Sequence, residues 1–98
     1  MSYEVRLVQS RPNTGVEFSS PGSEITTRLE EWKAAGKIES YTLSSVSANN
    51  LNKTTTIVFG NVGNYAEFFD DTVFNQAAQD RIAHCEANSI SYSVETPE

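Results

Sequence analysis

Apolar and polar positions alternate over residues 3–9. Tyr3, Val5 and Leu7 fall on one face, and Glu4, Arg6 and Val8 on the other. A period of two, carried by aromatic and β-branched side chains, predicts a half-buried strand. The run Arg11-Pro12-Asn13-Thr14-Gly15 breaks it, and Pro21-Gly22 marks a second turn. Val16 and Phe18 are the residues expected to pin the intervening loop to the body. The period then lengthens: Ile25, Leu29 and Trp32 recur at i, i+4 and i+7, one stripe of an amphipathic helix over residues 24–35. Glu30, Glu31 and Lys33 take its wet side. Ser23 is the expected N-cap, Glu24 suits the positive first turn, and Gly36 supplies the stop.

Residues 38–47 and 54–60 read as two strands. The polar turn Ala48-Asn49-Asn50-Leu51-Asn52-Lys53 joins them as an antiparallel hairpin. Asn61-Val62-Gly63 breaks the chain again. Asn64 and Glu67 match a capping box. Tyr65, Phe68 and Phe69 then form an apolar face, and Asp70-Asp71-Thr72 interrupts or re-caps the helix. Beyond it Phe74, Ala77, Ala78, Arg81, Ile82 and Cys85 repeat at helical spacing, until Asn88-Ser89 ends the pattern. Ile90, Tyr92 and Val94 alternate with Ser91, Ser93 and Glu95 in a last strand.

The order β-α-β-β-α-β predicts one α+β domain over residues 1–98, a ferredoxin-like sandwich. Its sheet has four antiparallel strands, with two helices on one face. Tyr3, Val5, Leu7, Ile57, Phe59, Ile90, Tyr92 and Val94 are expected to face the helices. The opposite face then carries Glu4, Arg6, Val8, Thr54, Thr56, Val58, Ser91, Ser93 and Glu95. The second strand adds either Tyr41 and Leu43 or Thr42 and Ser44, depending on register.

Charge narrows the partners. Seven Lys and Arg against thirteen Asp and Glu leave a net charge of −6. The cations are scattered, with no two adjacent, which argues against nucleic acid and against anionic membranes. Residues 62–98 hold one cation, Arg81, and seven anions, so this part carries the whole imbalance. Such a surface solubilises the chain or faces a basic partner. The longest apolar run, Ile57-Val58-Phe59, is far too short to span a bilayer, and the opening residues do not resemble a secretory signal. A single cysteine, Cys85, fits a reducing, cytoplasmic setting.

The opening Tyr3-Glu4-Val5-Arg6, followed by Arg11-Pro12, resembles the first strand of the NIPSNAP and antibiotic-biosynthesis-monooxygenase-like group. At the level of residues the likeness covers positions 3–12. It implies a homodimer in which two open sheet faces pair into an α+β barrel around a lined cavity. The polar loop of residues 10–23 is longer than the turn usual in that group, and no catalytic residue carries over.

Candidate chemistry is sparse. Asp80 and His84 stand at i, i+4 on one helix face, but two ligands do not close a metal site. Cys85 follows His84 directly and so points about 100° away from it on a helix, which suits a buried thiol better than a reactive couple. Gly60-Asn61-Val62-Gly63 lies where phosphate loops lie but lacks a nearby lysine, and reads as turn chemistry. No catalytic residue, metal site or cofactor is assigned. Arg81, inside an otherwise apolar stripe, either snorkels to water or anchors an anion. Trp32, Tyr41, Arg6 and Tyr92 are the candidate ligand-binding residues, chosen by residue type and expected face.

Three functions fit these features. The first is a non-enzymatic domain acting through homodimerisation, or through a protein partner, on its open sheet face. The second is a dimeric barrel that binds or oxidises a small apolar molecule without a cofactor. The third, suggested by the 29 Ser, Thr and Asn residues, is an accessory or structural protein of a viral or phage assembly.

Overall fold

The computed structural model describes residues 1–97. Seven elements follow one another: β1 (Tyr3–Ser10), α1 (Ser23–Ala34), β2 (Ile38–Val46), β3 (Asn52–Phe59), α2 (Val62–Asp70), α3 (Thr72–Ala87) and β4 (Ser91–Glu95). The strands form one antiparallel sheet in the order β2-β3-β1-β4, which is the ferredoxin-like topology. The second helical segment of the sandwich is two helices meeting at Asp71.

Register decides which side chains meet the helices. Tyr3 pairs with Phe59, Val5 with Ile57, Leu7 with Thr55 and Gln9 with Lys53. These residues share the inner face, because directly opposed residues project to the same side. Tyr92 and Val94 lie opposite Gln9 and Leu7, so they also share that face. They stay exposed, β4 being an edge strand. In β2 the register shifts twice, between Ile38 and Ser40 and between Thr42 and Ser45. Tyr41 thereby falls opposite Ile57 and packs, with Leu43, against the core. Thr42 and Ser45 reach the outer face, opposite Thr56 and Thr54. Simple alternation would have put Ser44 there.

Aromatic side chains crowd one end of the layer between helices and sheet. Phe68 stacks on Phe74 with ring centres 4.3 Å apart. Trp32 meets Phe74 edge-on at 5.2 Å, and Phe59 meets Phe68 at 5.2 Å. Such offset and edge-to-face pairs add to what burial alone contributes. Trp32, Leu29, Ile25, Val5, Ile38, Ile57, Phe59 and Phe74 form the buried cluster.

Two caps and one turn differ from the expectation, and the re-capping at Asp71 matches it. Gly22 occupies the N-cap of α1, with no side-chain bond, and Ser23 is the first helical residue. Asn61, not Asn64, caps α2: its Oδ1 accepts from the Asn64 N–H at 2.9 Å. Asp71 caps α3 by accepting from the Phe74 N–H at 3.1 Å. The hairpin turn is shorter than the polar run, because Asn52 and Lys53 already pair with Ser10 and Gln9. Gly36, at φ 79°, closes α1 as expected: its N–H bonds the Lys33 carbonyl at 3.1 Å and that of Lys37 the Trp32 carbonyl at 3.0 Å.

Candidate functional site

From Tyr3 to Gln9 the inner face of β1 passes from the aromatic end of the sandwich to a polar one. The facing positions there are small. Thr55 lies on the sheet, Ala77 and Ala78 on α3, and Ser19 and Ser20 on the loop that follows β1. Aromatic packing at one end fixes the spacing of α1 and α3, and these small side chains do not fill the gap at the other. The result is a half-open cleft of about 490 Å³.

Its floor is Leu7, Leu43, Thr55 and Ile57, and its walls are Ile25 and Leu29 of α1 with Val73, Phe74 and Ala77 of α3. Exposed Glu24, Thr72, Gln76 and Asp80 form the rim. Asp80 accepts a hydrogen bond from the Gln76 amide at 2.9 Å.

The polar end is built from the loop of residues 11–22, which is tied down by side chains. Gln9, 3% exposed, holds Ser19 twice: its Oε1 accepts from the Ser19 N–H at 2.9 Å, and its Nε2 donates to the Ser19 carbonyl at 3.2 Å. Lys53, 5% exposed, donates from Nζ to the same carbonyl at 2.9 Å and to Ser20 Oγ at 3.3 Å. Burial pushes the Lys53 amine below the usual lysine range. His84 donates from Nε2 to the Glu17 carbonyl at 2.7 Å. Arg11 donates to the Val16 carbonyl at 2.9 Å and lies 4.2 Å over the Phe18 ring. Val16 and Phe18 are therefore held through Arg11.

Cys85 is fully buried, with Sγ 3.6 Å from Gln9 Oε1, and burial raises its thiol above the usual range. It is inert as a nucleophile in this setting. Beside it Arg81 lines the cleft from α3. Burial lowers the guanidinium from its ordinary value, and burial raises the neighbouring Cys85 thiol and Tyr65 phenol, which keeps both uncharged at neutral pH. Among the described residues no group of three or more His, Cys, Asp or Glu is placed to hold a metal ion. No helix among them is long and apolar enough to cross a membrane.

The four residues chosen from the sequence do not converge. Trp32 belongs to the aromatic core, wedged against Phe68 and Phe74. Tyr41 donates its hydroxyl to Glu30 of α1, a bond that raises its pKa. Arg6 is on the outer face, paired with Glu4 at 2.8 Å. Tyr92 is exposed on the edge strand. None of them lines the cleft.

Comparison with protein families, curated proteins and solved structures gave no match for this chain. Its functional reading rests on the cleft alone. The residues that build it, Gln9, Ser19, Thr55 and Ala77, carry no joint signature along the sequence. Arg81 did stand out, as a charge within an apolar helical stripe.

Proposed function

We propose that this domain is a binding module for a small, largely apolar molecule held between the helices and the sheet. One observation carries the reading: a cleft of about 490 Å³ whose floor and walls are aliphatic and aromatic. Ligand pockets commonly measure about 300–1,000 Å³ and have such linings, with a few polar groups that orient the occupant. Ser19 and Arg81 supply such groups in the lining. The single buried thiol suits a reducing compartment such as the cytoplasm.

Thermal unfolding in the presence of decanol, decanoate, indole and naphthalene tests the proposal. Binding to the folded state alone raises the midpoint progressively with ligand concentration. At least one of these compounds is expected to do so. A midpoint unmoved by all four at their solubility limits overturns the reading.

A second reading, homodimerisation through the outer face of the sheet, is favoured by one feature. Val8 and Val58 stand half-buried on the two central strands, among Thr54 and Thr56, and among the described residues no element is laid over them. The likeness of residues 3–12 to the dimeric-barrel group points the same way. Light scattering on a sizing column is expected to give twice the 10.8 kDa chain mass down to low micromolar concentration. A mass of one chain throughout rejects it.

A further inference from the structure

Four arginines are present, and three have partners. Arg6 pairs with Glu4, Arg28 pairs with Asp71, and Arg11 donates to the carbonyls of Asn50 and Val16. Arg81 differs. It is half-buried and lines the cleft, and among the described residues it makes no hydrogen bond and no ion pair. A guanidinium held partly away from water without an acceptor keeps its desolvation cost and gains nothing in return. Its planar fork matches a carboxylate with two parallel hydrogen bonds.

We infer that the occupant of the cleft is an amphipathic monoanion, with a carboxylate head at Arg81 and an apolar tail along Leu29, Leu43 and Ile57. This rests on the cleft being a ligand site. The buried cation Lys53 does not line the cleft and is already engaged by the Ser19 carbonyl and Ser20 Oγ. Gln9 is held in place by Ser19, through its Oε1 and one of its two Nε2 hydrogens. The acids that face the cleft, Glu24 and Asp80, are exposed at the rim, and Asp80 is engaged by Gln76. The aliphatic floor leaves the tail free of polar demands.

Displacement of a neutral apolar dye, Nile red, tests this in the full chain with decanoate, methyl decanoate and decanol as competitors. A charge-assisted contact is stronger than a neutral one, so decanoate is expected to act at concentrations about tenfold or more below those of the two neutral compounds. In Arg81→Gln that advantage collapses while decanol is unaffected, and Arg81→Lys keeps part of it. Equal potency of all three compounds in the unaltered protein, or an advantage that survives in Arg81→Gln, overturns the carboxylate assignment and leaves the cleft as a neutral site. Failure of the dye and of all three compounds to bind, checked by calorimetry, overturns the cleft reading itself. Independent of any variant, the Arg81 Nε–H resonance is expected to shift on titration with decanoate and to stay put with decanol. A resonance that ignores decanoate while decanoate binds also rejects the assignment.

Discussion

Ser89 adopts a left-handed backbone, φ 58°, at the end of α3. The Ile90 N–H turns back to the Cys85 carbonyl at 2.8 Å, so Ser89 occupies the position that Gly36 fills after α1. A residue with a Cβ is strained there by about 1 kcal/mol or more, and glycine is not. Ser89→Gly is therefore expected to stabilise the domain by about 0.5–1 kcal/mol, read as a higher urea midpoint at unchanged slope. Residue by residue, the sequence revealed what chemistry advertises. Gly36 was legible as a stop because glycine tolerates positive φ. The role of Asn61 was not, since two asparagines three residues apart both qualify as caps and only the backbone chooses between them. Lys53 looked like part of a polar turn. Its burial comes from pairing with Gln9 across the sheet, which no local pattern records.

Between elements, the join of α2 and α3 carries the most consequence. Asp71 ends α2, caps α3 and receives Arg28 from α1, with the Arg28 Nε 3.1 Å from Oδ1. One residue thus links three helices, α2 through its backbone N–H and α1 and α3 through its carboxylate. Asp71→Ala is expected to cost about 1–2 kcal/mol, since loss of the cap alone is in that range, measured as a lower urea midpoint at neutral pH. The pH dependence has a definite sign. The hydrogen bond from Arg28 holds the Asp71 carboxyl below the ordinary aspartate value of 3.8. The unfolded chain therefore takes up the proton first as acid is added. The contribution of Asp71 is complete above that ordinary value and is lost as the pH falls toward the lowered folded one. Urea midpoints of the parent and of Asp71→Asn are expected to converge over that acid interval, and a gap that persists unchanged below it would reject the assignment. The double aspartate was visible as an interruption in the helical pattern. That its partner is Arg28 depends on how α1 lies against α3, which is set by Trp32 meeting Phe68 and Phe74.

Across the whole molecule, the β-α-β-β-α-β order followed from the switch between periods of two and 3.6, and the sheet obeys it. The cleft did not follow. It exists because bulk is unevenly shared along the inner layer: aromatic rings gather near Tyr3 and Phe59, while threonine, serine and alanine gather near Gln9. Each strand and helix taken singly shows an ordinary apolar stripe. Only the pairing of Leu7 with Thr55, and the seating of Ala77 above them, leaves room. The candidate residues chosen by type alone were for this reason drawn from the outer face, the edge and the core.

The segment from Arg11 to Gly22 belongs to neither sheet nor helix, yet its far end walls the cleft at Ser19, Ser20, Pro21 and Gly22. Three side chains rooted elsewhere, Gln9, Lys53 and His84, hold it in place, and Arg11 within it bonds the Val16 carbonyl. One part of the cleft wall is thereby carried by a segment outside the sheet and the helices. Insertions, deletions or exchanges in this stretch alter the depth and lining of the pocket while the strand pairing and the helix contacts stand untouched. The domain is accordingly suited to diversification, by evolution or by library selection, at a single contiguous run of residues.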